Sequence, residues 1–325
     1  MNSTPEKKSD AVRSQDALAY SIALGCRPPT DLGPTEWAAK HVSIANSERS
    51  SKYDPKQTPW HRGPLECAAD NDVKIVVMLA PTGSGKSTMA EALIPYVVAE
   101  DPGPLLYASQ TNDKAKFWGE TRLSHALKSV GQVKELWPKD RHKSRKLEII
   151  FPHMPLILGG ANLGNFQEYS VRWEYGDEVW EWDAGLVREF LGRHHDRWNR
   201  KTYLVSQGGV EDGELHLEWQ KTDEAVFGWR CKKCGHENPF EFAQIKYDHV
   251  LDDKGEIDEE ATSQTARTVC KHCEEIYPDE IQTRRSLANS NMDNGNDGYI
   301  ATNDKPIEGY RGYRVDSLAV WWVPW

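Results

Sequence analysis

The residues best placed to do chemistry form a glycine-rich segment, APTGSGKST, at residues 80–88. An apolar run, IVVML, precedes it as a strand would, and a helix-like sequence follows it. Glycines in such a turn let backbone N–H groups approach phosphate oxygens, and the positive end of the next helix favours an anion. A lysine then reaches the β- and γ-phosphates, and the adjoining serine hydroxyl ligates Mg²⁺. The pattern predicts a site for ATP and Mg²⁺ lined by Thr82, Gly83, Ser84, Gly85, Lys86, Ser87 and Thr88.

The leading glycine of the usual phosphate-loop pattern is replaced by Ala80. The alternative interpretation is therefore an ordinary glycine-rich turn between a strand and a helix that contains Gly-Lys-Ser by chance. The flanking strand and helix patterns favour the phosphate loop.

An acidic pair, Asp177-Glu178, follows a third strand candidate at residues 170–175. In a phosphate-loop hydrolase an aspartate at a strand end holds Mg²⁺ through water, and a neighbouring glutamate orients the attacking water. We therefore expect Lys86, Asp177 and Glu178 to be catalytic. Ser87 and Asp177 are expected to hold the Mg²⁺ ion. The alternative is a solvated pair of acidic residues in a loop.

The next strand candidate, residues 201–206, ends at Ser206 and is followed by Gln207. Small polar residues at that position predict a group that senses the γ-phosphate and couples hydrolysis to movement, so Ser206 is assigned to the nucleotide site. An ordinary glycine turn after the strand is the alternative.

Four of the six cysteines form two C-x-x-C pairs, Cys231/Cys234 and Cys270/Cys273, separated by 35 residues. Two such pairs suit tetrahedral Zn²⁺, because cysteines at this spacing can present both thiolates to one ion. A redox role would require a single pair beside a thioredoxin-type unit. Structural zinc is the prediction, and surface thiols without a metal are the alternative.

Composition limits the partners of the chain. Its 325 residues carry a net charge of −10, so any contact with nucleic acid must come from a local basic patch. The densest basic run is Lys139–Lys146 (KDRHKSRK), which could equally be a solvated turn. No apolar run is long enough to span a membrane, and the polar N-terminus lacks the apolar core of a secretory signal.

Strand and helix patterns alternate through the first two thirds of the chain, which predicts an α/β fold with a parallel sheet flanked by helices. Further strands are expected at residues 104–109, 146–151, 155–158 and 309–320, and helices at 89–98 (kinked at Pro95), 113–129 and 186–194. In the helix at 113–129, Phe117, Leu123 and Leu127 are spaced for one buried face. The predicted domains are a flexible tail (1–34), a P-loop ATPase core (35–228), a zinc-ribbon insertion (229–297) and a final strand with the start of a linker (298–325).

The order of these motifs resembles the large terminase subunit of tailed phages, in the lambda-type family. The resemblance covers nearly the whole chain, from Pro59-Trp60-His61-Arg62 through Gly85-Lys86-Ser87, Asp177-Glu178 and the strand ending at Ser206, to the cysteine pairs and the closing Gly312-Tyr313-Arg314. It implies a RecA-like packaging ATPase that translocates double-stranded DNA into a procapsid. It also implies the small terminase subunit, the portal and further copies of the chain as partners, in the host cytoplasm.

Three departures from the family pattern qualify this resemblance. His61 stands where the family has a glutamine that contacts adenine, so stacking of the base on Trp60 is expected instead. The loop PTGSGKST is closer to helicase loops. No cluster of carboxylates for a two-metal nuclease follows residue 298, and the closing WWVPW is expected to form an exposed surface for a following domain.

Two other functions are alternatives to this one. The first is a superfamily-2 helicase, but such a helicase would need a second RecA-like lobe, and the residues after Gly228 are too few to build one. A zinc-ribbon nucleic-acid-binding protein with an inactive nucleotide fold is the second. For the ATPase, a neighbouring subunit or a mobile element is expected to supply an arginine, with Arg193 and Arg197 as candidates.

Overall fold

The computed structural model describes residues 30–45, 51–192, 197–292 and 296–325. Residues 1–29, most of the predicted tail, lie outside the described residues, and the first helix of the described part begins at Pro34. The described strands, in chain order, are β1 (Ile75–Leu79), β2 (Leu105–Ser109), β3 (Glu148–Ile150), β4 (Pro155–Gly160), β5 (Trp173–Asp177), β6 (Lys201–Ser206), β7 (Ala225–Arg230), β8 (Glu237–Pro239), β9 (Ile245–Lys246), β10 (Arg267–Val269), β11 (Ile276–Pro278), β12 (Tyr299–Ile300) and β13 (Tyr310–Arg314).

Within the described part of the chain, ten of these strands form one sheet in the order β12-β7-β13-β1-β6-β5-β2-β4-β3, with β8 paired to β7. All pairs from β7 to β4 along this order are parallel. The antiparallel strands β3 and β12 lie at the two ends of the order. The predicted α/β fold with a mostly parallel sheet is therefore confirmed.

The described α-helices are α1 (Pro34–His41), α2 (Arg62–Glu66), α3 (Lys86–Glu100), α4 (Asn112–Trp118), α5 (Ser124–Ser129), α6 (Gly131–Leu136), α7 (Leu163–Glu168), α8 (Leu186–Leu191), α9 (Glu214–Trp219), α10 (Glu259–Ser263) and α11 (Ile281–Ala288). A π-helical turn, Gly119–Leu123, joins α4 to α5. In the described residues no helix combines the length and apolar character that a membrane crossing requires.

Alternate residues of the central strands point to opposite faces of the sheet. On one face, Ile75 and Val77 belong to an apolar cluster that also contains Phe166 of α7, Phe190 of α8 and Trp219 of α9. On the other face lies a row of three tyrosines, described below, whose middle member contacts α3. Both faces of the parallel sheet are thus covered, as its apolar strands require.

The tyrosine row consists of Tyr107 on β2, Tyr175 on β5 and Tyr203 on β6, which are in register on adjacent strands. Their ring centroids are 5.7 and 5.9 Å apart with nearly parallel planes. All three rings are buried, and the Tyr175 hydroxyl donates a hydrogen bond to the carbonyl of Lys86 at 3.3 Å. The row therefore fixes the start of α3 against the sheet.

The structure corrects several predicted elements. The helix expected at 113–129 is interrupted by the π-helical turn, and Phe117 is 70% exposed because α4 turns it away from the buried Leu123 and Leu127. Strand β5 begins three residues later than expected and includes Asp177. The last strand ends at Arg314, and α3 continues through Pro95 as one helix.

The closing aromatic residues do not form the exposed surface that the sequence predicted. Trp321 is 7% exposed, and its indole Nε1 donates to the carbonyl of Gln57 at 2.9 Å. Trp322 packs on Trp60 with ring centroids 5.5 Å apart, and the indole of Trp325 donates to the carbonyl of Leu318. These indoles are held by the chain itself, which leaves Val323 as the exposed large apolar side chain of the segment.

Residues 33–325 form one compact unit. Strand β7 runs across residue 228, where the predicted core domain ends, and β12 returns to pair with it. The predicted domain boundaries remain a prediction. The small sheet β11-β10-β9 lies in the segment between these two strands.

Lys201, the first residue of β6, anchors the segment that leads into β1. Its side chain is 1% exposed, and its ammonium donates to the backbone carbonyls of Cys67 at 2.9 Å, Val73 at 2.5 Å and also Asp70. The buried carbonyls of Cys67 and Val73, together with that of the exposed Asp70, are thereby satisfied by one side chain.

We expect Lys201→Met to lower the free energy of unfolding by about 2–4 kcal/mol, because the buried carbonyls of Cys67 and Val73 lose their donor without access to water. Urea denaturation measures the change. Lys305→Met, at an exposed position, is the control and should stay within about 0.5 kcal/mol of the unmodified chain. Equal stability of the two variants would show that the amine is dispensable.

Candidate active site

The candidate site lies at the carboxyl ends of the parallel strands β1, β6 and β5. Leu79 pairs with Ser206, and Val205 pairs with Asp177, so the three strands end at nearly the same level. The predicted phosphate loop leaves β1 at this edge and enters α3 at Lys86. The loop and the acidic pair are consequently neighbours, although about ninety residues separate them in the sequence.

The phosphate loop depends on two glycines in left-handed backbone conformations. Gly83 has φ 80° and Gly85 has φ 90°, which other L-residues rarely adopt. A Cβ on Gly85 would also lie 3.2 Å from Cε1 of His61. Thr82 and Gly83 are exposed, and Ser87 and Thr88 are half-buried at the first turn of α3.

Lys86 is buried beneath this loop. Its ammonium donates to the carbonyls of Ala80 at 3.2 Å and Pro81 at 3.4 Å, and it lies 3.4 Å from Oε1 of Glu178. The ammonium thus lies between the loop and a catalytic candidate, where it can bind an anionic ligand. The catalytic role of Lys86 stays a prediction.

Asp177 is the last residue of β5 and is 8% exposed. Its Oδ2 accepts a hydrogen bond from the Tyr107 hydroxyl at 2.7 Å, whereas its Oδ1 is buried and has no hydrogen-bond partner among the described residues. Burial raises the pKa of Asp177 to about 6, even though the Tyr107 hydrogen bond lowers it. A buried carboxylate oxygen that lacks a hydrogen-bond partner is suited to bind a metal cation, and that cation can in turn bind phosphate.

Glu178 adopts the left-handed backbone conformation, with φ 50°. Such a conformation is unfavourable for a glutamate and is often found at functional sites. The side chain is 37% exposed, with Oε1 near Lys86 and Oε2 accepting from the Trp180 indole at 3.1 Å. The turn therefore directs one carboxylate oxygen towards the loop.

The Ser206 hydroxyl makes a contact that the sequence did not predict. The residue is fully buried, and its hydroxyl accepts a hydrogen bond from the backbone N–H of Trp180 at 3.0 Å. Its carbonyl accepts from Ala80 N–H at 2.9 Å, so Ser206 joins the acidic loop to the phosphate loop without presenting its hydroxyl to a ligand. The next residue, Gln207, accepts instead from the exposed Thr82 hydroxyl at 3.0 Å.

The expectation that adenine stacks on Trp60 is wrong in this structure. The ring is 0% exposed, and its Nε1 donates to the carbonyl of Ser84 at 2.9 Å. Ser84 is itself buried and donates its hydroxyl to the Pro81 carbonyl at 2.7 Å. Trp60 and Ser84 therefore stabilise the conformation of the loop from its buried side. Burial lowers the pKa of the adjacent His61 to about 3, so this support is uncharged.

Arg122 and Glu91 were not predicted from the sequence. Arg122, in the π-helical turn, donates from Nη2 to the Thr88 hydroxyl at 3.3 Å and lies 2.6 Å through Nε from the Glu91 carboxylate. Glu91 is 0% exposed on α3, and burial raises its pKa to about 7, opposed by Arg122. A glutamate in an apolar helix is a weak sequence signal, and its partner is 31 residues away.

Only one of the two predicted arginine candidates is among the described residues. Arg193 lies outside the described residues. Arg197 precedes β6 and donates to the Ser170 hydroxyl at 3.3 Å, at the amino ends of β5 and β6. Arg197 is thus at the opposite edge of the sheet from this chain's own phosphate loop.

The four paired cysteines meet at a second place. Their sulfur atoms all lie within 4.8 Å of one another, and Sγ–Sγ distances are 3.6 Å for Cys231–Cys273 and 3.7 Å for Cys234–Cys270. The residue after each pair is left-handed, namely Gly235 with φ 73° and Glu274 with φ 58°. Two turns of the same form therefore converge on one point.

The sequence matches the family model for the ATPase domain of the phage terminase large subunit gpA over residues 47–291. A search of curated proteins gave no match. Similar solved structures include the large terminase of bacteriophage HK97 (11% identity, TM-score 0.45, 57% of this chain and 39% of that chain). Others are the large terminase of the thermophilic bacteriophage D6E (14%, 0.37, 53% and 43%) and the ATPase domain of the Thermus phage P74-26 large terminase (11%, 0.40, 77% and 78%).

The chain spans less than half the length of the HK97 and D6E proteins. The family model, in contrast, covers the phosphate loop, the acidic pair and all four paired cysteines. This chain belongs to the ATPase-domain family of the phage terminase large subunit gpA.

Proposed function

We propose that this chain hydrolyses ATP to move double-stranded DNA into a viral procapsid. The observation that carries the proposal is the convergence of Lys86, Asp177 and Glu178 beside the phosphate loop. The family match favours this function over a superfamily-2 helicase or an inactive zinc-binding protein. We also infer the small terminase subunit, the portal and further copies of the chain as partners, in the host cytoplasm.

The proposed mechanism assigns one task to each group. The amides of the loop and the Lys86 ammonium bind the phosphates, because both present positive charge to an anion. Glu178 orients a water molecule and accepts its proton, since its carboxylate is partly exposed at the edge of the site. Thr82 and Gln207 join the loop to the end of β6, so a shift of either can reach the other.

The Mg²⁺ site is assigned to Ser87 and Asp177. The free, buried Oδ1 of Asp177 fits a hard cation, and the half-buried hydroxyl of Ser87 lies at the start of the helix that begins with Lys86. Mg²⁺, when bound, supplies positive charge that stabilises the phosphate oxygens. Tyr107 holds the other oxygen of Asp177 and so fixes the orientation of this carboxylate.

We assign Cys231, Cys234, Cys270 and Cys273 to structural Zn²⁺. Tetrahedral zinc–thiolate bonds of about 2.3 Å require sulfur atoms about 3.8 Å apart. The Cys231–Cys273 and Cys234–Cys270 distances, at 3.6 and 3.7 Å, already meet this requirement. The ion would join the turn after β7 to the turn after β10 and hold a segment that has little apolar core of its own.

Replacement of the catalytic groups should remove ATP turnover. We expect Lys86→Ala and Glu178→Gln each to lower kcat by about 100-fold or more, through lost phosphate charge and lost activation of water respectively. Glu178→Gln should retain ATP binding, measured by fluorescence of a labelled nucleotide. The control is Glu181→Gln, whose carboxylate pairs with Lys114 at 3.1 Å, whereas Lys86 pairs with Glu178. ATP turnover that is indifferent to both catalytic changes would refute the hydrolase.

Zinc content should be one ion per chain by atomic emission spectroscopy of protein purified without chelators. Cys231→Ser should lose the ion and lower the thermal midpoint, because the site is a cross-link between two turns. Cys67→Ala is the matched control, since Cys67 is paired with the Tyr313 hydroxyl far from the cluster in sequence. A chain that contains no zinc, or that loses it equally in the control, would contradict the assignment.

A further inference from the structure

The basic segment Lys139–Lys146 is an exposed cationic surface on an acidic chain. It contains five lysine and arginine side chains and one carboxylate, whereas the whole chain has a net charge of −10. All of its lysine and arginine residues are exposed. Among the described residues, Lys139, Arg141 and Lys143 make no ion pair, and Arg145 reaches Glu148 only at 3.8 Å. These charges are therefore available to an anionic partner.

The segment lies at the same edge of the sheet as the ATPase site. It immediately precedes β3, which is antiparallel to β4, so it is next to the carboxyl end of β4. The carbonyl of Leu147 accepts from Leu158 N–H at 2.8 Å, and Ser144 forms a bridge with Ile149. Because β4 is parallel to β2 and β5, its carboxyl end is on the side where Asp177 and the phosphate loop are found.

The π-helical turn, Gly119–Leu123, contacts both the basic segment and the P-loop helix α3. On one side, Glu120 pairs with Lys146 at 2.9 Å. On the other, Arg122 contacts Thr88 and Glu91, as described above. π-helical turns are rare and are often found at functional sites. Two charged residues of one short turn, Glu120 and Arg122, thus join the surface to the nucleotide site.

The turn is also held tightly against the sheet. A Cβ on Gly119 would lie 2.4 Å from Cδ1 of Leu158 and 3.9 Å from the carbonyl of Lys146. At the other end, the buried Glu91 carboxylate requires the Arg122 cation, since an unpaired buried charge is costly. A displacement of the basic segment would therefore either move Arg122 or break one of these contacts.

We propose that the basic segment contacts the phosphate backbone of double-stranded DNA and that the π-helical turn couples this contact to the nucleotide site. The choice of DNA as the polyanion rests on the proposed function. The contact is to phosphates, so it depends on salt and carries no base specificity. Glu120 and Arg122 are positioning residues in this scheme.

The contact is tested by fluorescence anisotropy with a 40-base-pair duplex of random sequence over a range of NaCl concentrations. The variant Arg141→Gln/Lys143→Gln/Arg145→Gln should bind about tenfold or more weakly, and its slope of log affinity against log salt should fall by about 2–3. The control, Lys246→Gln/Lys254→Gln/Lys305→Gln, removes the same charge from exposed positions elsewhere. Equal weakening in both variants, with thermal midpoints unchanged, would overturn the contact.

The coupling is tested with a non-hydrolysable ATP analogue. In the unmodified chain the analogue should change the Kd for the duplex several-fold, and Glu120→Gln should reduce this change to less than about twofold. The control is Glu135→Gln, at an exposed position on α6. The coupling would be overturned if the analogue left the Kd for the duplex unchanged in the unmodified chain, or changed it equally in the unmodified chain and in Glu120→Gln.

The outcomes separate this inference from the proposed function. ATP turnover that requires Lys86, together with unchanged DNA binding by the triple variant, rejects the surface and leaves the ATPase. Salt-dependent binding through the basic segment in a chain without ATP turnover rejects the ATPase and supports the surface.

Discussion

The parallel pairing of β1, β6 and β5 is the constraint on which the rest of the site depends. Their register brings Leu79, Ser206 and Asp177 to one edge, so that the loop after each strand meets the loops of the other two. Parallel strands always present their carboxyl ends together, whatever the length of chain between them. A shift of register by one residue would turn Asp177 to the other face of the sheet.

Two sets of buried aromatic side chains hold this edge in place. The tyrosine row lies under the start of α3 and supplies the hydroxyls that bind Lys86 and Asp177. Trp60, with Trp322 packed against it, supports the phosphate loop from behind. Both sets put polar tips at the site and apolar rings in the core, which suits tyrosine and tryptophan. Residues at the far end of the chain thus contribute to the shape of the nucleotide loop.

Charge is distributed unevenly over this framework. Several buried ionisable groups are paired or hydrogen-bonded, as with Glu91 on α3 and its partner Arg122, or Lys201 and its three carbonyls. The basic segment is different, because most of its cations are exposed and unpaired among the described residues. An acidic chain that keeps one such region can bind a polyanion locally and release it readily, since the rest of its surface repels the polymer.

The sequence alone determined the strand, loop and helix around Lys86, the acidic pair and the meeting of four cysteines. These features depend on local spacing, namely glycines that permit left-handed turns and thiolates two residues apart. The tertiary structure decided the features that depend on long-range contacts. It turned the Ser206 hydroxyl towards Trp180, buried Trp60 behind the loop and set Arg122 beside Thr88. The direction of a side chain depends on its register and on the elements packed against it, and no local pattern specifies either of them.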